Sequence, residues 1–386
     1  MKPRGAIAGL GMTAIGKVYG RTAEDFADEA VVRACRDAGL SLSDIDGLLV
    51  NAGAMRGVNL RLAKRLGLGD LRLAADVQSF GSSAGAMVQM ACSAISAGVA
   101  STVACVFADD PLREGASTGS RYVGAQDRLV GLRDLPPAVG LRGALMGYAM
   151  AARRHMARYG TTSLDLAAVA VATRSWAAMN PLAQMREPLT VADHQASRMI
   201  ADPFHLFDCC VVSNGGIAVI VTSADRARDL AQPLVTIVGM GQSHPDYPMD
   251  RRSTFGLVTG AAESGKQAYE MAGVSPQDIA VAEIYDCFTF TTLISAEDYG
   301  FCDKGQGGEF FGSGATGPGG RLPINTGGGQ LSGYYMWGMT PLSEGVMQAR
   351  GQAGERQVDR HDLVLVSGNG GTLDDHSTLI LATQEA

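Results

Sequence analysis

The chain has 386 residues, more than one hydrophobic core usually holds, so two domains or two fused halves are expected. Hydrophobic residues make up 46% and charged residues 18%, which excludes disorder and describes a well-buried, enzyme-like protein. A net charge of −7 without any basic block speaks against nucleic acid as a partner.

Seven cysteines (Cys35, Cys92, Cys105, Cys209, Cys210, Cys287 and Cys302) are scattered, mostly through apolar segments. That reads as reduced thiols in a cytoplasmic protein. There is no C-x-x-C pair and no H-E-x-x-H, so no metal site is expected in this chain. The start, MKPRGAIAGLGMT, has no long apolar region, and no apolar run reaches the roughly 18 residues of a membrane helix.

In chain order, residues 5–13 read as a buried strand, and residues 22–38 as a helix ended by Gly39. Residues 46–53 read as a strand, 76–98 as a turn feeding a helix of small residues, and 101–108 as another buried strand. This β-α-β-α-β order predicts a sheet with helices on its faces. Longer amphipathic helices fill about 110–207, read as a helical insertion, and 215–223 returns to the sheet. The order then restarts. VTIVGMGQS at 235–243 echoes IAGLGMT, and the helix predicted over 263–279 echoes 29–45, with Ala272-Gly273 matching Ala38-Gly39. DLVLVSGNGG and STLILAT match STVACVFA and GIAVIVT. Two similar halves in tandem, 1–229 and 230–386, indicate an internal duplication. In the second half, three glycines, Gly327 to Gly329, precede a Tyr-Tyr-Met-Trp cluster, a combination that either builds a surface turn or presents binding residues on a loop.

The duplicated chain with its helical insertion resembles the thiolase superfamily. The likeness is strongest in YAMAARRHMARYGTT, NPLAQMREPLT and SRMIADPFHLFDCC, which resemble the sterol carrier protein x-type, lipid-transfer-protein-like branch. The resemblance implies a five-layer α/β/α/β/α fold, with two central helices starting near Ser82 and Leu342. It also locates four positions that carry thiolase chemistry. Gly81, in Gly81-Ser82-Ser83-Ala84, stands where that family has its nucleophilic cysteine. Tyr285, in EIYDCF, replaces an Asn or His; Tyr335, in SGYYMWG, replaces a His; Ser367, in SGNGG, replaces a second Cys. Without a thiolate the usual acyl-enzyme cannot form.

Two tyrosines in these positions resemble the thiolase-like steroid side-chain-cleaving aldolases. These relatives split a β-hydroxyacyl-CoA by a retro-aldol reaction, giving a 17-ketosteroid and propionyl-CoA. The resemblance implies Tyr285 and Tyr335 as the acid/base pair, since a phenol can both give and accept a proton. Backbone amides at Gly81, Gly370 and Gly371 become candidate oxyanion donors, and the missing side chain at Gly81 is read as room for a ring-bearing β-carbon. Tyr247, Asp286 and Tyr334 are candidate substrate-lining residues, although in an extended segment Tyr334 would point away from Tyr335. No cofactor is expected in this chain; the CoA thioester is the substrate, and zinc belongs only to an expected small zinc-ribbon/OB-fold partner. A homodimer through a sheet edge near 101–108 is also implied. Two rival readings stand: a non-catalytic acyl-CoA-binding scaffold, whose tyrosines would lie apart, and an acyltransferase with a Ser or Cys nucleophile near a base.

Overall fold

The first helix shows how local sequence sets the elements. The Thr22 hydroxyl accepts from the Asp25 amide while the Asp25 carboxylate accepts from the Thr22 amide, a reciprocal cap. Helix α1, Ala23–Ala38, then buries Phe26, Ala27, Ala30, Val31, Ala34 and Cys35 along one face. It ends at Gly39 in the left-handed conformation, φ 73°. Its counterpart, Ala261–Ala272, ends identically at Gly273, φ 73°. That cap explains why the second helix stops short of the 279 expected from sequence; only a short 3-10 turn, Pro276–Asp278, follows.

The computed structural model describes residues 5–118, 121, 143–245 and 253–383. Among them, nine strands form one mixed sheet, numbered here in chain order: β1 Gly5–Met12, β2 Gly47–Asn51, β3 Leu73–Asp76, β4 Thr102–Asp109, β5 Gly215–Ser223, β6 Thr236–Ser243, β7 Val281–Glu283, β8 Leu363–Gly370 and β9 Asp375–Ala382. Their order is β3-β2-β4-β5-β1-β6-β9-β8-β7. The pairing repeats between the two parts. β2 runs parallel to β4 as β7 does to β8; β4 is antiparallel to β5 as β8 is to β9; β5 is antiparallel to β1 as β9 is to β6. Within the sheet the two parts meet between β1 and β6, where Ala6 pairs with Thr236 and the Ile7 amide donates to the Val235 carbonyl.

Between them lie two helices, α2 (Ser83–Ser96) and α3 (Met339–Ala349). Each packs on strands of both parts and on the other, whereas α1 covers β1, β4 and β5, and Ala261–Ala272 covers β6 and β9. The layers are therefore helix, sheet, paired helices, sheet, helix, with the central helices starting close to the expected positions. Small side chains along α2 (Ala84, Gly85, Ala86) permit burial on every side over its first two turns, Ser83 to Gln89.

One expectation is corrected. β4 is flanked by β2 and β5, so it has no open edge for a partner copy, and the open edge of that part is β3, which the sequence reading missed. Strand β4 is buried at all eight positions, the pattern of a central strand rather than an edge. The insertion contributes helices Gly143–Tyr159, Ser163–Ala178 and Val191–Ala196. No described helix is long and apolar enough to cross a membrane.

Candidate active site

Two turns from the two parts meet at the start of α2. A short 3-10 turn, Phe80–Ser82, leads into the helix, and its backbone lies against the end of β8. The fit excludes side chains. A Cβ on Gly370 would overlap the Ser79 carbonyl, and a Cβ on Gly81 would overlap the Asn369 carbonyl oxygen. The amide-bearing positive end of a long buried helix thus sits beside the Gly370-Gly371 turn, an arrangement suited to developing negative charge.

The Tyr285 ring rests directly on Gly81: an added Cβ would overlap its Cε2 and Cζ atoms. The space left by the missing side chain is therefore occupied by Tyr285, which corrects the reading of Gly81 as room for substrate. Tyr285 is 4% exposed. Tyr335 lies close enough to interact with its phenol. Burial pushes the Tyr285 phenol well above its ordinary value, with Tyr335, Cys287 and Tyr148 adding to the shift. Tyr335 itself is half-buried.

The glycine-rich stretch ahead of Tyr335 forms a single π-helical turn, Gly329–Gly333. Asp286 holds it: its carboxylate accepts from the backbone amides of Gln330 at 2.7 Å and Leu331 at 3.2 Å. Gly329, at φ 54°, is required there because a Cβ would overlap that carboxylate. The insertion braces the same turn. Gln184 and Met185 amides donate to Gly333 and Ser332 carbonyls, Val211 donates to Gln330, and Arg174 Nε donates to Ser332 Oγ. The Tyr335 amide donates to Ser213 Oγ at 2.9 Å, which also accepts from Gln184 at 2.6 Å.

After the turn the chain is extended, φ −151° and ψ 156° at Tyr334, so neighbouring side chains alternate. Tyr335 meets Tyr285, while Tyr334 is 1% exposed and pairs with Ser343 Oγ at 2.9 Å. Tyr334 is thus a core residue and not a lining one. Asp286 is 0% exposed and committed to the turn, so it supports the site without lining it; burial lifts its carboxyl to about 7. Tyr247 lies outside the described residues.

Nucleophiles are poorly served. Ser82 Oγ is buried with no hydrogen-bond partner among the described residues, so no base activates it. Burial pushes the Cys287 thiol up to about 12, far from a thiolate at neutral pH. All seven cysteines are free thiols.

Sequence reasoning missed Tyr148 and Asn369. Tyr148, from the insertion helix Gly143–Tyr159, accepts from Asn369 Nδ2 at 2.5 Å and donates to the Gly371 carbonyl at 3.0 Å. It also missed the left-handed backbone of two aromatic residues beside the site, Phe80 and Trp337, each at φ 49° with ring centroids 6.0 Å apart. Such conformations cost energy and cluster at functional sites.

Residues 241–383 match the family described as thiolase C-terminal domain-like. A steroid side-chain-cleaving aldolase of Thermomonospora curvata is 39% identical over 95% of each chain. The 17-hydroxy-3-oxo-4-pregnene-20-carboxyl-CoA lyase of Mycobacterium tuberculosis is 38% identical over 95% of this chain and 96% of its own. A solved Ltp2-ChsH2(DUF35) aldolase superposes with a TM-score of 0.87 at 36% identity, covering 100% of this chain and 99% of that one.

Proposed function

Because this chain belongs to the thiolase superfamily, in the branch of the steroid side-chain-cleaving aldolases, we propose that it is a retro-aldol carbon–carbon lyase acting on a β-hydroxyacyl-CoA, a steroid 17-hydroxy-20-carboxyl-CoA, with Tyr285 and Tyr335 as its acid/base pair. The names of the two curated relatives support the substrate class. The observation that carries the residue assignment is the pair of neighbouring Tyr285 and Tyr335 phenols, with the Tyr285 ring seated on Gly81 at the start of α2.

Tyr285, buried and holding its proton, donates to Tyr335 and stabilises a phenolate there. Tyr335, the more exposed of the two, takes the β-hydroxyl proton. The Cα–Cβ bond breaks as the β-oxygen becomes a carbonyl, and the electron pair passes to the thioester as an enolate. Amides of Gly81 and the Gly370-Gly371 turn stabilise its oxygen. Tyr335 returns the proton to the enolate carbon, releasing a 17-ketosteroid and propionyl-CoA. Every atom and charge is accounted for by substrate and two phenols, so the scheme uses no cofactor of this chain.

The same reading takes 1–229 and 230–386 as the two thiolase-like halves, supported by the repeated strand pairing. It includes a homodimer and a small zinc-ribbon/OB-fold partner subunit; the two-component name of the similar solved aldolase supports a partner subunit. A cytoplasmic location accords with seven free thiols. The scaffold alternative expects the two tyrosines apart, and the acyltransferase alternative expects an activated Ser or Cys; neither accords with this geometry.

The test is release of propionyl-CoA from a tertiary β-hydroxyacyl-CoA by the purified protein with its partner subunit. Tyr285→Phe and Tyr335→Phe keep the rings and remove only the hydroxyls. Each is expected to lower kcat by about 10²–10⁴ with a smaller effect on KM. Near-normal turnover in both variants would favour the scaffold reading.

A further inference from the structure

The Tyr148 hydroxyl is the middle of a directed hydrogen-bond chain. Asn369 Nδ2 donates to it at 2.5 Å, and it spends its one proton on the Gly371 carbonyl at 3.0 Å. Asn369 is the penultimate residue of β8, and Gly371 is the residue after that strand, at φ 61°. The chain therefore clamps both ends of the Gly370 peptide from a helix of the insertion. Tyr148 is 2% exposed, its ring lies 4.9 Å from Phe288, and Phe288 in turn stacks on Phe204 at 5.0 Å. This aromatic stack holds the ring, and with it the hydroxyl oxygen, in place.

A second observation sits on the same amide. Asn369 Oδ1 is buried and has no hydrogen-bond partner among the described residues. A carboxamide normally satisfies both ends when buried. Here the donor end is committed to Tyr148, and the unsatisfied acceptor end is held in place by that commitment. The Asn369 carbonyl oxygen meanwhile packs against Gly81, beneath the Tyr285 ring. Asn369 thus ties the Tyr148 clamp to both turns that the proposed mechanism uses.

We infer that Tyr148 is a positioning residue for the lyase reaction: through Asn369 and the Gly371 carbonyl it fixes the Gly370-Gly371 turn against the start of α2, and it takes no part in proton transfer. The inference rests on the retro-aldol reading for its consequence in catalysis, but its structural content is independent of it. The proton of Tyr148 is bound to a backbone carbonyl and its oxygen accepts from the Asn369 amide, so the hydroxyl is committed within the protein. Loss of the hydroxyl frees the turn while leaving Tyr285 and Tyr335 in place. A misplacement of about 1 Å at a reacting centre costs on the order of 10²-fold in rate; a loosened turn is expected to cost about 10-fold.

The experiment pairs Tyr148→Phe with Asn369→Ser, alone and together, in the protein with its partner subunit. Three readouts are taken: kcat and KM for propionyl-CoA release, the pH–rate profile, and backbone amide hydrogen exchange over residues 370–373. Each single variant is expected to lower kcat about 10-fold with KM changed less than about threefold. The double variant should be no slower than the worse single one, because both cut one chain. The pH profile should keep its shape, and exchange at 370–373 should quicken about 10-fold. Wild-type kcat in Tyr148→Phe, or a displaced pH profile, overturns the inference. Should Tyr148→Phe fail to fold, Asn369→Ser cuts the same chain from the strand side, and wild-type kcat in it overturns the inference equally. If the unmodified protein releases no propionyl-CoA, the retro-aldol reading fails, while unchanged exchange at 370–373 in the variants refutes the clamp on its own.

Discussion

Gly81→Ala is the sharpest test of the site, because it adds one methyl group where the structure has none to spare. The new carbon would overlap Cε2 and Cζ of Tyr285 and the Asn369 carbonyl oxygen. Ordinary carbon–carbon contact needs about 3.5–4.0 Å, so the ring must retreat by roughly 1 Å or more. It has nowhere to go freely: Tyr285 is 4% exposed and has Tyr335, Cys287 and Tyr148 around it. Asn369 is fixed in strand β8. Overpacking of this kind costs about 1–3 kcal/mol of stability. Displacing a phenol by about 1 Å costs on the order of 10²-fold in kcat. Denaturant unfolding measures the first and propionyl-CoA release the second. In a Tyr285→Ala background the same methyl group should cost less stability, because only the clash with the Asn369 carbonyl oxygen remains. Gly81→Cys should likewise impair cleavage and create no thiolase activity, since no base stands ready for the thiol. Full turnover with unchanged stability in Gly81→Ala would refute the packing argument and with it the placement of Tyr285 on Gly81.

Asp286→Asn replaces a carboxylate that accepts from two amides with a group that offers one acceptor, so the Tyr335-bearing turn should loosen, costing about 1–3 kcal/mol and lowering kcat. The Asp286 carboxyl is raised on folding, from the ordinary 3.8 to about 7, so the folded state binds its proton more tightly. Its contribution to stability is full below the unfolded value and is lost as pH rises through about 7; unfolding across pH 4–7 should show that decline in the native protein and a flatter curve in Asp286→Asn. Arg356→Met removes the cation paired at 2.9 Å with both Glu344 carboxylate oxygens, beside a Thr326 hydroxyl shared with Glu283, and should cost about 3–5 kcal/mol in denaturant unfolding. Tyr334→Phe loses only the Ser343 contact, costs about 0.5–1.5 kcal/mol, and leaves turnover unchanged, in contrast to its neighbour Tyr335.

What could be read from sequence was whatever local chemistry decides. The Thr22 and Gly39 ends of α1 and the all-small face of α2 follow from residue types a few positions apart. The alternation that separates Tyr334 from Tyr335 follows from an extended backbone alone. The errors that bear on the site are non-local. Gly81 read as vacant because nothing nearby in the chain says that the Tyr285 ring fills the gap. β4 was taken as an edge, although eight buried positions in a row describe a strand covered on both faces with neighbours on both sides. Tyr148 and Asn369 carry no local signal, since a tyrosine in an amphipathic helix and an asparagine in a glycine-rich strand acquire a role only by meeting.

The division of labour between the two parts explains why the site needs the whole chain. The proposed backbone donors come from the first part, at Gly81, and from the second, at Gly370-Gly371, and the two turns touch through the Asn369 carbonyl. Both phenols come from the second part, yet Tyr335 is held by Ser213 and Gln184, and the turn before it by Arg174, Met185 and Val211, all from the first. Tyr148 crosses in the same direction to the Gly371 carbonyl. A retro-aldol cleavage requires its base at one end of the breaking bond and its oxyanion donors at the other, held at fixed separation. A hydroxyl pair on one part and donors shared between both keep that separation only if the parts cannot slide. The cross-bracing at Ser213, Gln184 and Tyr148 supplies that rigidity through hydrogen bonds between neutral groups.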